Sequence, residues 1–371
     1  MRIALVASSY CPRIGGVETH VRRLAHGFAQ AGDQVTVITH QYDDARSDER
    51  DGTVRVLRFP LAVTSRNYPV SLAMFRYLKS HAADFDVVHG HNYHSIVGHA
   101  AAAARLPFVF TPHYNASGHT WFRTRLHRVY RPIGARQFAA AGAVICVSDA
   151  ERQVLTRDFP GAAARMVTIP NGTERKLPAA GHHATRAEAP IVLSIGRLER
   201  YKNVDLVIDA FRALPGEATL VVVGDGPDRS RLERHARAAG PGRRVQFTGR
   251  VPDPVLNDLF ARAGVVTSAS DHEAFGLTLA EGLAHGARVV ASAIPAHADL
   301  ARRAGAGSPV TLVDPRNARQ FADALEVSLR AGRVRAGDVT LPSWAEVVLQ
   351  TRELYARMTA ARPSAQGRGA A

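Results

Sequence analysis

Cysteine is nearly missing from this chain. Its 371 residues include two, Cys11 and Cys146. That is too few for a disulfide framework, so a reducing, cytoplasmic setting is expected. Lysine is almost as scarce: of 47 basic residues, only Lys79, Lys176 and Lys202 are not arginine. Long apolar runs are lacking too. VGHAAAAARLPFVF (97–110) is the best of them, and it carries His99 and Arg105. It falls short of the roughly 18 residues of a membrane span. MRIALVASSY at the start lacks the apolar segment and small-residue cleavage site of a secretory signal and reads as a first buried strand. Acids are outnumbered, giving a formal charge of +14. The Arg skew, with many Ala, has the look of a codon bias. The same charge would attract an anionic substrate or a membrane surface, and both readings stay open. Nucleic acid is not an expected partner.

What is present is ordinary for a soluble globular protein: 46% hydrophobic and 22% charged residues. The length suits two domains of about 150–200 residues each. Short β-branched runs alternate with helical patterns. RIALVAS (2–8), QVTVITH (34–40), DVVHG (86–90), PFVFTPH (107–113) and AVICVS (143–148) are strands. VETHVRRLAHGFAQAG (17–32) is a helix whose Val17, Val21, Leu24, Ala25 and Phe28 share a face. The alternation predicts parallel sheets with helices on both faces. It breaks at IPNGTERKLPAAGHHATRAEAP (169–190), a Pro, Gly and Ala-rich linker. It restarts with IVLSIGR (191–197), ATLVVVGDG (218–226), RVQFTGR (244–250), GVVTSAS (264–270), ARVVASA (287–293) and PVTLVD (309–314).

The expected fold class is therefore α/β, with two doubly wound, Rossmann-like domains in series. The expected boundaries are 1–170 for the first domain, 171–189 for the linker and 190–342 for the second. A last helix over 343–358 is expected to pack back on the first domain, followed by a frayed tail over 359–371. Facing domains of this kind make a cleft, and ligands bind beyond the carboxyl ends of the strands.

The loops after the strands hold the candidate chemistry. Gly15 and Gly16 precede the first helix, where bare backbone and a helix N-terminus favour an anion. A tight turn that needs glycine is the alternative. Arg197 follows the restart strand and Lys202 lies near the next helix, two cations suited to a diphosphate. VVVGDGPDRSRLE, with Gly224 in its turn, either passes close to a nucleotide or only turns; no Gly-Lys-Ser/Thr follows, so it is not a Walker loop. In DHEAFGLTLAEGLAHG (271–286), a helix begins near Leu277. The N–H groups of Phe275, Gly276 and Leu277 then form a phosphate-binding turn. Glu273 and Glu281 flank that turn, so they are expected to touch different parts of one long ligand and not to form a close acid/base dyad.

These segments resemble the retaining glycosyltransferases of family 4, which have the GT-B fold. IGGVETHVRRLA, FTPHYN (110–115), CVSDAE (146–151), IPNGTE (169–174), SIGRLERYKN, VVVGDGPDRSRLE and Glu273–Glu281 carry the resemblance, in family order and up to about residue 358. The resemblance implies residue roles. Glu281 would hold the donor ribose and Glu273 would sit by the donor sugar. Phe275, Gly276 and Leu277 would offer backbone N–H groups. Arg197 and Lys202 would neutralise the diphosphate, and Gly16 would approach the same phosphates. His113 would lie beside the transferred sugar, and Arg250 and Val251 would hold the base through backbone. The resemblance further implies a hexosyl transfer from a UDP- or GDP-sugar, with a phosphate oxygen taking the acceptor proton and no metal or other cofactor.

Two other patterns resemble metal-binding signatures. DFD (84–86) matches a metal-binding signature of another transferase fold, but it precedes a strand, at the wrong end. HGHNYH (89–94) suggests a metal site; lining the cleft or capping a helix is the expectation. The acceptor is expected to be lipid-linked and phosphoinositide-like, or a small molecule such as a cyclitol, a secondary metabolite or a growing glycan. TWFRTRLHRVYRPIGARQ (120–137) has five Arg, no acid, and Trp121, Phe122 and Tyr130 interleaved. It reads as an interfacial helix touching anionic headgroups at the inner face of a membrane, or as a solvated surface. The alternative functions are a non-catalytic relative that binds nucleotide or anions, and a GT-B phosphorylase or epimerase.

Overall fold

A computed structural model of the chain describes residues 1–13, 15–42, 47–63, 69–93, 97–104, 106–114, 121–174, 189–238, 244–305, 307–335 and 339–360, with no side-chain description over 121–129. Most of the linker expected at 171–189, Thr120 and His94 lie outside these residues, as does most of the expected tail.

The first unit comprises residues 1–171 and the last helix. Its strands are β1 (Arg2–Val6), β2 (Gln34–His40), β3 (Asp48–Asp51), β4 (Val54–Phe59), β5 (Val87–His91), β6 (Phe108–Thr111), β7 (Ala143–Cys146) and β8 (Met166–Thr168). They form one sheet in the order β3-β4-β2-β1-β5-β6-β7-β8. All pairs are parallel except β3 with β4, a hairpin at the edge. Central β1 has Ile3, Ala4, Leu5 and Val6 fully buried. Such a run is what a strand covered on both faces requires. Register pairs Leu5 with Val37 on one side and with His89 on the other.

Helices α1 (Gly16–Gln30), α2 (Leu72–Ser80), α3 (Val97–Ala103), α4 (Trp121–Ala140) and α5 (Asp149–Asp158) connect these strands. Helix α1 buries Val21, Leu24, Ala25 and Phe28, the i, i+3, i+4, i+7 stripe of an amphipathic helix. The final helix, Trp344–Ala360, runs beyond the 358 expected from the sequence. It packs on α1 where Gly27 leaves room: a Cβ there would lie 2.4 Å from Val348 Cγ2. Arg352 Nε fastens it to Asp33 Oδ2 at 2.7 Å.

The second unit spans 172–343. Its strands β9 (Ile191–Ile195), β10 (Thr219–Val223), β11 (Arg244–Gly249), β12 (Ala263–Ser268), β13 (Arg288–Ser292) and β14 (Val310–Val313) are all parallel. Helices α6 (Val204–Ala213), α7 (Arg229–Arg237), α8 (Asp253–Arg262), α9 (Leu277–Ala284), α10 (Pro295–Arg303) and α11 (Ala318–Ala331) follow them in turn, and the final helix of the chain is α12. The strand order is β11-β10-β9-β12-β13-β14. The order reverses between β9 and β12. At such a switch point two successive loops part to opposite faces and leave a crevice for ligand.

Some expectations need correction. Gly16 is the first residue of α1, with Gly15 as its N-cap, so only Gly15 precedes the helix. Tyr130 is not offered to a surface: it is buried in the first unit's core, and its hydroxyl donates to the Tyr93 carbonyl at 3.2 Å. Helix α4 does form over most of the basic segment, with Pro132 inside it. Of the DFD pattern, Asp86 is held by Arg2 at 2.7 Å before β5 begins, away from the carboxyl end of that strand.

Candidate active site

The loop after β9 ends in a 3₁₀ turn, Arg200–Lys202, closed by Asn203 in the left-handed region at φ 47°. Asparagine tolerates that backbone better than most residues. The turn is tied to the loop after β12: Asn203 Nδ2 donates to the Ala269 carbonyl at 3.0 Å, and the Asp271 N–H donates to the Tyr201 carbonyl at 2.9 Å. These ties bring Lys202 Nζ onto Glu273 Oε1 in an ion pair, both side chains about one-fifth exposed (19% and 20%). Ser270 Oγ donates to the same carboxylate oxygen at 2.9 Å. Burial opposes the charge on Glu273, but Lys202 and the Ser270 hydroxyl overcome it and hold the carboxyl below its usual range. Lys202 answers in kind: burial works against its charge, Glu273 outweighs burial, and the ammonium is held above its ordinary pKa.

A second layer supports the pair. Ser292 Oγ donates to the Ser270 carbonyl at 2.6 Å, and fully buried His297 sits with Nδ1 2.9 Å from the Ser292 carbonyl. With Nδ1 donating, Nε2 of His297 carries the lone pair; burial keeps this ring below the ordinary imidazole pKa. Tyr201 stacks on His272 with ring centres 4.5 Å apart. Sequence reasoning missed Ser270, His297, Asn203 and Tyr201. A polar residue at the carboxyl end of a buried strand was the available signal for Ser270; nothing in the spacing pointed to His297.

Helix α9 starts at Leu277, with Gly276 before it at φ 93°, a conformation that favours glycine. The first N–H groups of any helix lack intrahelical partners, so this turn offers donors beside Glu273. Phe275 is 3% exposed, so only its backbone is available. Glu281 lies one turn inside α9 and is half-buried.

Arg197 follows β9, with its side chain 58% exposed and its guanidinium 2.5 Å from Glu199 Oε1. Arg250 is exposed and Val251 half-buried, after edge strand β11 and two strands from β9. Gly224 has a packing reason of its own. Its φ is 128°, and a Cβ would fall 1.9 Å from the Gly196 carbonyl oxygen.

In the first unit, the loop after β1 leads into α1. A Cβ on Gly16 would meet nothing within 4 Å, so packing does not demand glycine there. His113 follows β6, with φ at 48°. Burial and the nearby rings of His20 and His89 hold its pKa well below the ordinary imidazole value. The next residue is anchored: the Tyr114 N–H donates to Glu151 Oε1 at 2.5 Å, and the Val147 N–H donates to Oε2 at 2.6 Å. Burial pushes Glu151 up to about 7 against those two donors.

Three sets of residues are thus assembled. Arg197, Lys202, Glu273, Phe275, Gly276, Leu277 and Glu281 gather at the β9/β12 switch point of the second unit. Arg250 and Val251 stand at another strand end of that unit. Gly15, Gly16 and His113 belong to the first unit.

The sequence patterns of known families divide the chain at the same place. The one described as Glycosyltransferase Family 4 matches residues 14–177, and that described as Glycosyl transferases group 1 matches 180–335. The glycogen synthase of Mycobacterium tuberculosis (strain CDC 1551 / Oshkosh) is 30% identical over 328 residues, which cover 79% of this chain and 78% of that one. The chain is a family 4 glycosyltransferase. The D-inositol 3-phosphate glycosyltransferase of Xylanimonas cellulosilytica is 27% identical, over 94% of this glycosyltransferase and 93% of the relative. Among solved structures, HepE of Anabaena, in complex with UDP and glucose, is similar with a TM-score of 0.75 at 19% identity, covering 96% of this chain and 100% of that one. The two parallel-sheet units are those of the GT-B fold, and the protein is an enzyme.

Proposed function

We propose that this glycosyltransferase moves a hexosyl unit from a nucleotide-diphosphate sugar to an acceptor hydroxyl with retention of anomeric configuration. The observation that carries the proposal is the Lys202–Glu273 pair at the β9/β12 switch point, set beside the N-terminus of α9. A cation, an ionised carboxylate and unpartnered helix N–H groups side by side suit a ligand that is anionic at one end and hydroxylated at the other.

In this reading the leaving diphosphate gathers charge, and Lys202, Arg197 and the N–H groups of Phe275, Gly276 and Leu277 stabilise it. An ammonium has three donors, so Lys202 can keep Glu273 while it binds phosphate. Glu273 accepts from sugar hydroxyls, and Glu281, one turn along, accepts from the ribose. A carboxylate held below its usual pKa is a poor base at neutral pH, so the acceptor proton passes to a phosphate oxygen on the departing face. Gly16 brings bare backbone to the phosphates, His113 hydrogen-bonds the transferred sugar, and Arg250 and Val251 hold the base by backbone. Gly15 lets the chain enter α1, and Gly224 shapes the neighbouring turn. These groups meet the diphosphate's charge, so the reading assigns no metal a part in transfer.

The relative named for D-inositol 3-phosphate supports a polyol acceptor. We read that acceptor as a phosphoinositide-like lipid or a soluble cyclitol, met in the cytoplasm or at the inner membrane face. The exposed Arg131, Ile133 and Arg136 of α4 support contact with an anionic surface. Among the described residues, no helix is long and apolar enough to cross a membrane.

A thermal-shift and hydrolysis panel over UDP-, GDP- and ADP-sugars tests the proposal. One base should raise Tm and its sugar should be slowly hydrolysed. A panel with no binding and no hydrolysis would reject the donor reading.

A further inference from the structure

Within the first unit, His20 of α1, His91 at the end of β5 and His113 after β6 turn their rings toward one another. One ligand nitrogen from each lies within 4.8 Å of the others. The ring centres of His20 and His113 are 4.8 Å apart, and those of His20 and His91 5.4 Å. His20 is 2% exposed and His91 fully buried. Nevertheless His20 Nε2, both nitrogens of His91, and His113 Nε2 have no hydrogen-bond partner among the described residues. Unmade bonds on buried nitrogens are costly, and several converging on one point call for an occupant.

We infer that His20, His91 and His113 form a binding site for a single transition-metal ion of the Zn2+ class. His20 is already prepared for it. Its Nδ1 lies 2.7 Å from Asn171 Oδ1. With that oxygen accepting, Nδ1 bears the proton and Nε2 presents a lone pair, the usual outer-shell support of a metal-bound histidine. All three rings are held below the ordinary imidazole pKa by burial, so they are neutral and able to ligate. Neighbouring His89 is excluded, because Nδ1 is taken by the Tyr355 hydroxyl at 2.5 Å and Nε2 by Thr111 Oγ1 at 2.7 Å. Three neutral nitrogens suit Zn2+, Co2+, Ni2+ or Cu2+, and not Mg2+ or Ca2+. A tetrahedral ion with Zn–N near 2.1 Å needs its ligand atoms about 3.4 Å apart. Small ring rotations close that distance, and His91 has two nitrogens from which to choose.

The site shares His113 with the transfer reading above, and the metal takes no part in transfer. Under that reading, in which His113 serves the sugar, occupancy withdraws His113 and Zn2+ inhibits transfer.

The test is a Co2+ titration of the full chain after chelator treatment, followed by visible ligand-field absorption. One equivalent should give the bands of a nitrogen-ligated cobalt ion, and Zn2+, but not Mg2+, should bleach them. His91→Gln should weaken binding at least tenfold. Asn171→Ala, outside the ligand set, should weaken it by about 10–100-fold and covers the case in which His91→Gln does not fold. Exposed His81→Gln should leave it unchanged. Absence of the bands, or bands that survive both site variants undiminished, overturns the inference. The spectrum does not depend on turnover, so cobalt binding without zinc inhibition keeps the site and removes only the role given to His113.

Discussion

Lys202 and Glu273 lie 71 positions apart and form one ion pair, at the carboxyl ends of the adjacent strands β9 and β12. Each is the other's main source of charge stabilisation in a largely enclosed site. Removing one leaves the other uncompensated, which costs more than the intact pair contributes. Lys202→Ala and Glu273→Ala should each lower kcat by about 10²–10³. The double variant should lose little more than either alone, because the two act as a unit. Initial-rate kinetics on all four proteins checks this.

Glu281 should behave differently from Glu273. Its place one turn inside α9 makes it a ground-state contact to the donor in our proposal. Glu281→Ala should raise the donor KM roughly tenfold with little change in kcat, whereas Glu273→Ala should mainly lower kcat. If both losses tracked a single pH-dependent proton transfer, an acid/base dyad would be the better account.

Two glycines should separate packing from binding. Gly224→Ala places a Cβ against the Gly196 carbonyl at a positive φ. The backbone term alone should cost about 1–3 kcal/mol, read as a lowered Tm. Gly16→Ala meets open space in the first turn of a helix. It should leave Tm unchanged or raise it slightly, yet weaken donor binding by calorimetry.

Glu151 gives the first unit a pH signature. Its folded pKa is raised to about 7 from 4.5, burial being the main cause. Between those values the folded state keeps a proton that the unfolded chain has released, so stability falls as pH rises. The penalty is absent below about pH 4.5, grows through pH 7 and amounts to on the order of 3 kcal/mol above it. Glu151→Gln removes the titration. The difference in Tm between variant and parent should therefore shift in the variant's favour from pH 5 to pH 8.

Much of this was legible in the sequence. Buried parallel strands announce themselves as apolar runs, and Gly276 with the two flanking glutamates marks the start of α9. Strand β3 does not: its DERD sequence is polar because it is an edge strand with one half-exposed face. Strand β4 beside it (Val54–Phe59) is not among the strands expected from the sequence. The Lys202–Glu273 contact depends on β9 lying next to β12, and strand order is not written in the residues of either loop. Neither is the meeting of His20, His91 and His113, which arrive from three elements. Tyr130 shows the converse error: an aromatic among arginines reads as interfacial, yet the fold buries it under Tyr93.

The central claim is that the β9/β12 switch point holds a sugar nucleotide for retaining transfer. The most direct measurement is proton NMR of donor hydrolysis by the parent enzyme and by Lys202→Ala and Glu273→Ala. The account predicts that the first sugar released keeps the donor's anomeric configuration and that either substitution slows release by at least about a hundredfold. An inverted first product, or undiminished hydrolysis in both variants, would contradict it.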